Sequence, residues 1–258
     1  MAPRPGALAL VAALAGVAWA AGAPGQAPDI ALGHRVFSDN CAICHGETGD
    51  GRGHAADHFQ HRPRDLTKGR FKFRSTASGQ LPTDDDLRRT IVAGLPGTGM
   101  MPHDHLTEAE LAAVLAFVKS LSPRFAAGPP ARPLALPPET PGGPDAVARG
   151  QRAYVKGQCE ECHGKAARGD GPSARDLSVP PTDLTRRPLK SGPAARDIAR
   201  TLFTGLDGTP MPSYHQVLED DEVWNLAHWV AAIGGPRELT PDERAGAHVV
   251  MMHQRRRR

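Results

Sequence analysis

Apolar residues Leu106, Leu111, Val114, Phe117, Val118 and Leu121 recur at three- and four-residue spacing, the signature of an amphipathic helix. The same pattern returns at an offset of 112 as Leu218, Val223, Leu226, Trp229, Val230 and Ile233. Thr107 followed by Glu110 reads as a capping box at the start of the first of these helices. Thr83 ahead of Asp84, Asp85 and Asp86 marks another helix start, its acids favoured by the positive end of the dipole. No alternating apolar and polar run of any length is present, so the pattern predicts an all-α protein with long loops. One apolar run stands apart: Ala7 to Ala20 carries no charge, follows Arg4, and ends in the small-x-small triplet Ala18-Trp19-Ala20. Its 14 residues fall short of the roughly 20 that span a bilayer. Residues 1–20 therefore read as a signal peptide cut after Ala20, with a retained membrane anchor as the alternative.

The offset extends through most of the chain. Gly33 and Phe37 match Gly150 and Tyr154, and Pro63-Arg64-Asp65-Leu66-Thr67 matches Pro181-Thr182-Asp183-Leu184-Thr185 at an offset of 118. Past a shift of register, Gly94 to Met100 matches Gly205 to Met211 at an offset of 111. A period this long is a duplicated domain, not a solenoid. The expected organisation is a first domain over 28–121, a linker over 122–146, a second domain over 147–235 and a basic tail over 236–258. Eight prolines between Ser122 and Ala146 make the linker a semi-rigid spacer. The tail, ending in Arg255 to Arg258, reads as a disordered end. In a functional version it docks weakly on an acidic protein patch or anionic headgroups.

The four cysteines fall in one kind of motif, Cys41-Ala42-Ile43-Cys44-His45 and Cys159-Glu160-Glu161-Cys162-His163. C-x-x-C-H is the attachment pattern of c-type haem: two sulfurs add across the vinyl groups and the adjacent imidazole becomes the proximal iron ligand. A zinc ribbon is disfavoured, because 114 residues separate Cys44 from Cys159 where about 15–20 are usual. A thioredoxin-type pair lacks its βαβ surroundings, and a disulfide framework leaves both histidines unexplained. Composition agrees with two covalently held haems, since only twelve aromatic residues are few for two cores without a large apolar cofactor. The net charge of +3 becomes −2 once Arg4 and Arg255 to Arg258 are set aside, leaving no basic face for nucleic acid.

With those motifs in place, each half resembles a class I cytochrome c domain, and the whole resembles two-domain, dihaem cytochromes c over roughly residues 30–121 and 147–234. The resemblance implies three main helices around each haem, with Phe37 against Phe117 and Tyr154 against Trp229 where the first and last helices cross. It also implies a Met as sixth ligand on a Gly/Pro-rich loop. Met211 in Gly208-Thr209-Pro210-Met211-Pro212 fits that loop; in the first domain Met100 aligns without a gap, and Met101 is the alternative because Pro102 follows it. His103, His105 and His215 near the Met positions, and His54, His58 and His61 after the first motif, are rival ligands. Pro63 and Pro181 are the positional candidates to accept the proximal histidine's Nδ1–H. The implied function is single-electron carriage between a donor and an acceptor protein in the periplasm, alone or as the electron-transfer subunit of a complex. A dihaem peroxidase with one open haem position is the rival, and a Met loop in both halves argues against it.

Overall fold

Glycine lets the two longest helices of each repeat cross at close range. In the first repeat α1 (Ile30–Asn40), whose N-cap Asp29 accepts the Leu32 N–H, crosses α4 (Glu108–Ser120). A Cβ on Gly33 would lie 2.2 Å from the Ala113 carbonyl oxygen, so only hydrogen fits. Between them come α2 (Ala42–His45), which carries the first C-x-x-C-H, and α3 (Asp84–Ala93). The Thr83/Asp86 and Thr107/Glu110 capping boxes are both formed. The second repeat copies this plan: α5 (Pro144–Lys156), α6 (Glu160–His163), α7 (Ala195–Thr204) and α8 (Asp220–Ile233). Here a Cβ on Gly150 would lie 2.0 Å from the Asn225 carbonyl oxygen. Ring centroids are 5.1 Å apart for Phe37 and Phe117 and 4.7 Å for Tyr154 and Trp229, so aromatics lock both crossings. The computed structural model describes residues 29–256, among which there is no strand beyond two isolated bridges. Each repeat has its own core, one around Phe37, Leu111 and Val114, the other around Phe203, Trp224 and Leu226.

The reading of residues 236–258 as a disordered tail is corrected by α9 (Pro241–Arg256), a helix docked on the first repeat. Thr240 caps it by accepting the Glu243 N–H, and Glu243 returns the contact to the Thr240 N–H. Asp242 accepts the Gln60 N–H at 2.8 Å and meets His61 at 3.0 Å; Glu243 accepts the Gly97 N–H at 2.7 Å and pairs with Arg237. Val249 packs with Ala55 and Phe59. Gly246 runs so close to the loop that a Cβ would sit 2.5 Å from the Gly99 carbonyl oxygen. The side chains of Arg255 to Arg258, and the leader with its cut after Ala20, lie outside the described residues.

The Pro-rich segment lies along the surface and touches both repeats. The Leu134 N–H donates to Ser75 O at 2.8 Å, Leu134 and Leu136 pack on the second core, and Thr140 O accepts from His228 Nε2 at 2.9 Å. Helix α5 begins at Pro144, inside the span read as linker, with the proline at a position where a missing N–H costs nothing. The repeats also meet directly. Arg74, its side chain fully buried, donates to Thr204 O at 2.7 Å and Gly205 O at 3.2 Å and pairs with Asp207 at 2.8 Å. Among the described residues no helix is long and apolar enough to cross a membrane.

Candidate functional site

A single helical turn carries each C-x-x-C-H, and a glycine at positive φ ends it: Gly46 at 79° and Gly164 at 78°. In the second repeat Cys159, Cys162, His163 and Met211 all line one cleft, part of it open to solvent. Leu184, Leu189, Ile198, Leu202 and Leu226 add apolar wall. His163 Nδ1 donates to Thr182 O at 2.9 Å, and His45 Nδ1 donates to Arg64 O at 3.0 Å. Each bond fixes the ring and leaves Nε2 as the nitrogen with a lone pair for a metal. Burial holds both imidazoles below their ordinary pKa, keeping them in the neutral form that ligates iron. Burial also pushes the Cys41 thiol up to about 12 and those of Cys44 and Cys159 up to about 11, so they stand as thiols. Two thiols, a fixed neutral imidazole and a thioether around an apolar cleft suit a covalently held haem.

The proximal acceptors correct the expectation of Pro63 and Pro181 by one residue. The proline carbonyls face elsewhere: a Cβ on Gly51 would lie 2.6 Å from Pro63 O, and one on Gly169 2.5 Å from Pro181 O. With the proline carbonyl against a glycine, the next peptide turns its oxygen toward the imidazole.

The two Met loops make the same hydrogen bonds. Met100 N–H donates to Thr98 Oγ1 at 3.1 Å and Met211 N–H to Thr209 Oγ1 at 3.2 Å. The Leu95 N–H donates to Met100 O and the Leu206 N–H to Met211 O. Met100 therefore occupies the position of Met211, and Met101 follows it where the chain passes Gly94. Of the rival histidines, His103 Nε2 donates to Asn40 O at 3.3 Å and His105 Nε2 to Asn40 Oδ1 at 3.2 Å, so both rings hold the end of α1. His61 faces Asp242, while His54, His58 and His215 are exposed. The sequence reading missed Lys72 and Phe73, first-repeat residues that line the second cleft, and Lys190 of the second repeat, which lines it too. Among the described residues no cluster of three or more His, Cys, Asp or Glu side chains offers a further metal site.

Residues 30–122 match the family described as cytochrome c, and residues 145–230 match that described as cytochrome c oxidase, cbb3-type, subunit III. A chain of the reducing HAO-like protein complex of Kuenenia stuttgartiensis superposes with a TM-score of 0.76 at 38% identity, covering 79% of this chain and 96% of that one. The cbb3-type cytochrome c oxidase subunit CcoP of Azospirillum brasilense is 27% identical over 212 residues, and that of Azospirillum sp. (strain B510) 28% over 216. Each alignment takes in 80% of this chain but 62% of the relative, so the chain spans under two thirds of these curated relatives. Two cytochrome c domains in tandem imply two covalently bound c-type haems and a role in electron transfer. With one C-x-x-C-H, one carbonyl-held imidazole and one Met loop per repeat, the chain belongs to the two-domain, dihaem class I cytochromes c.

Proposed function

We propose that this cytochrome relays single electrons between a donor and an acceptor protein on the periplasmic side of a membrane, as a subunit of a larger redox assembly. Cys41, Cys44, His45 and Met100 would hold the first haem, and Cys159, Cys162, His163 and Met211 the second. Bound haem supplies an iron that takes up and releases one electron. The chain turns the imidazoles by the Arg64 and Thr182 carbonyls and lines the second cleft with leucine and isoleucine side chains. The observation that carries the reading is the repetition of one donor set, Met loop included, in both halves. A His and a Met donor in each half would leave an iron no place for substrate, which favours relay over peroxidase chemistry. Membership of an assembly draws on the relatives, whose names place them in an oxidase and in an HAO-like complex. The uncharged run Ala7 to Ala20 behind Arg4 and the covalent motif support export.

Intact mass and the ferric absorption spectrum test the reading together. Two haems per chain, both low-spin with the far-red band of Met sulfur on ferric iron and inert to peroxide, are expected. A high-spin haem that binds peroxide would overturn the relay in favour of an enzyme.

A further inference from the structure

Lys72 and Lys190 are one position in two copies, since the offset of 118 that superposes the C-x-x-C-H motifs also superposes these lysines. Both line the cleft of Cys159, Cys162, His163 and Met211, although Lys72 belongs by sequence to the first repeat. They meet there because each repeat's Met loop lies against a cation of the other. A Cβ on Gly97 would contact the Lys190 side chain at 3.8 Å, and one on Gly208 would lie 2.9 Å from Arg64 Nη1.

Neither lysine forms an ion pair among the described residues. Lys190 Nζ donates only to Thr182 Oγ1, at 3.2 Å, on the residue whose carbonyl fixes His163. It feels the like charge of Arg237, and the acids that act on it, Glu243 and Asp242, are paired with Arg237 and His61. Lys72 faces only like charge, from Arg64 and Lys190, and burial with that repulsion pushes it down to about 8. Desolvated cations without a carboxylate are costly unless an anion joins them.

We propose that Lys72 and Lys190 form a carboxylate-binding site that takes the propionates of the second haem, so that the first repeat completes the second repeat's cofactor site. The inference rests on the dihaem reading above and deepens it. One consequence is mechanical: a loaded second haem ties the repeats together through Lys72. Another is electrostatic, because a cation beside the haem stabilises the electron that reduction adds.

The test is potentiometric titration of the haem-loaded protein, wild type against Lys72→Gln and Lys72→Arg, with the second couple assigned by the displacement that Met211→His gives it. Lys72→Gln is expected to disfavour reduction of the second haem about tenfold, 59 mV for a one-electron couple, and to move the first haem less. Lys72→Arg, which keeps the charge, should restore most of the shift. Haem-loaded protein whose second couple stays put in Lys72→Gln, or moves less than the first, overturns the proposal. So does a shift that follows the phosphate concentration, which would mark a free anion as the occupant. A preparation whose mass shows no covalent haem overturns the dihaem reading instead, so the two failures are distinguishable.

Discussion

Gly33 and Gly150 decide how closely the paired helices approach, and each meets backbone rather than a side chain that could turn aside. A Cβ would reach 2.2 Å and 2.0 Å from carbonyl oxygens of α4 and α8. Gly150→Ala must therefore spread α5 from α8 and break the Tyr154–Trp229 contact. We expect a loss of about 1–3 kcal/mol or more, read as a lower denaturant midpoint, with Gly33→Ala acting likewise on the first repeat. A midpoint unchanged in both variants would show that the crossing tolerates a methyl group. At this scale the sequence is informative where chemistry dictates spacing. That Cys159, Cys162 and His163 share a cleft with Met211, and that the Met100 and Met211 loops match, was legible from the pentapeptide and the repeat. The acceptors Arg64 and Thr182 were not, because a one-residue rotation of a peptide leaves no trace in residue type.

Among the elements, α9 is held to the first repeat by polar contacts that acid can release. Burial raises the Glu243 carboxyl, but Arg237 and the N–H groups of Gly97 and Thr240 outweigh it and hold the group at about 2 against an ordinary 4.5. A depressed carboxylate stabilises fully above its unfolded pKa and loses that contribution as pH falls toward the folded value. Docking of α9 should thus weaken between about pH 4.5 and pH 2. Hydrogen exchange of the α9 amides, corrected for intrinsic rates, should show protection falling across that window. Glu243→Gln should lower protection above the window and flatten its pH dependence; an unaltered pH profile in the variant would assign the acid response to another group. The signal for this helix was in the sequence. Thr240-Pro241-Asp242-Glu243 combines a capping residue, a first-turn proline and a reciprocal acid. The arginine run beyond it weighted the segment toward a free tail, and its apolar contacts are too few to give a clear period: Val249 and Ala245 against Ala55 and Phe59.

For the whole molecule, the question is what makes two repeats one body, and here local sequence is least informative. The helices and their crossings repeat within each half and follow from short-range rules, whereas Arg74 and Asp207 are 133 positions apart. Nothing in the spacing of either marks it as a partner of the other. Arg74 is fully buried, its guanidinium spans the junction to Thr204 O and Gly205 O, and Asp207 supplies the compensating charge while accepting the Gly79 N–H at 3.1 Å. Removing one member of such a pair strands the other's charge in a dry environment, a cost of about 3–5 kcal/mol. Asp207→Ala should therefore destabilise the junction more than Arg74→Met does, because the methionine removes the buried charge and leaves a carboxylate that retains some solvent access. Since each repeat keeps its own core, the loss should fall on their coupling. Calorimetry should show one unfolding transition in the wild type dividing into two in Asp207→Ala. A single transition displaced to lower temperature would mean that the linker and the shared second cleft hold the repeats together without this pair.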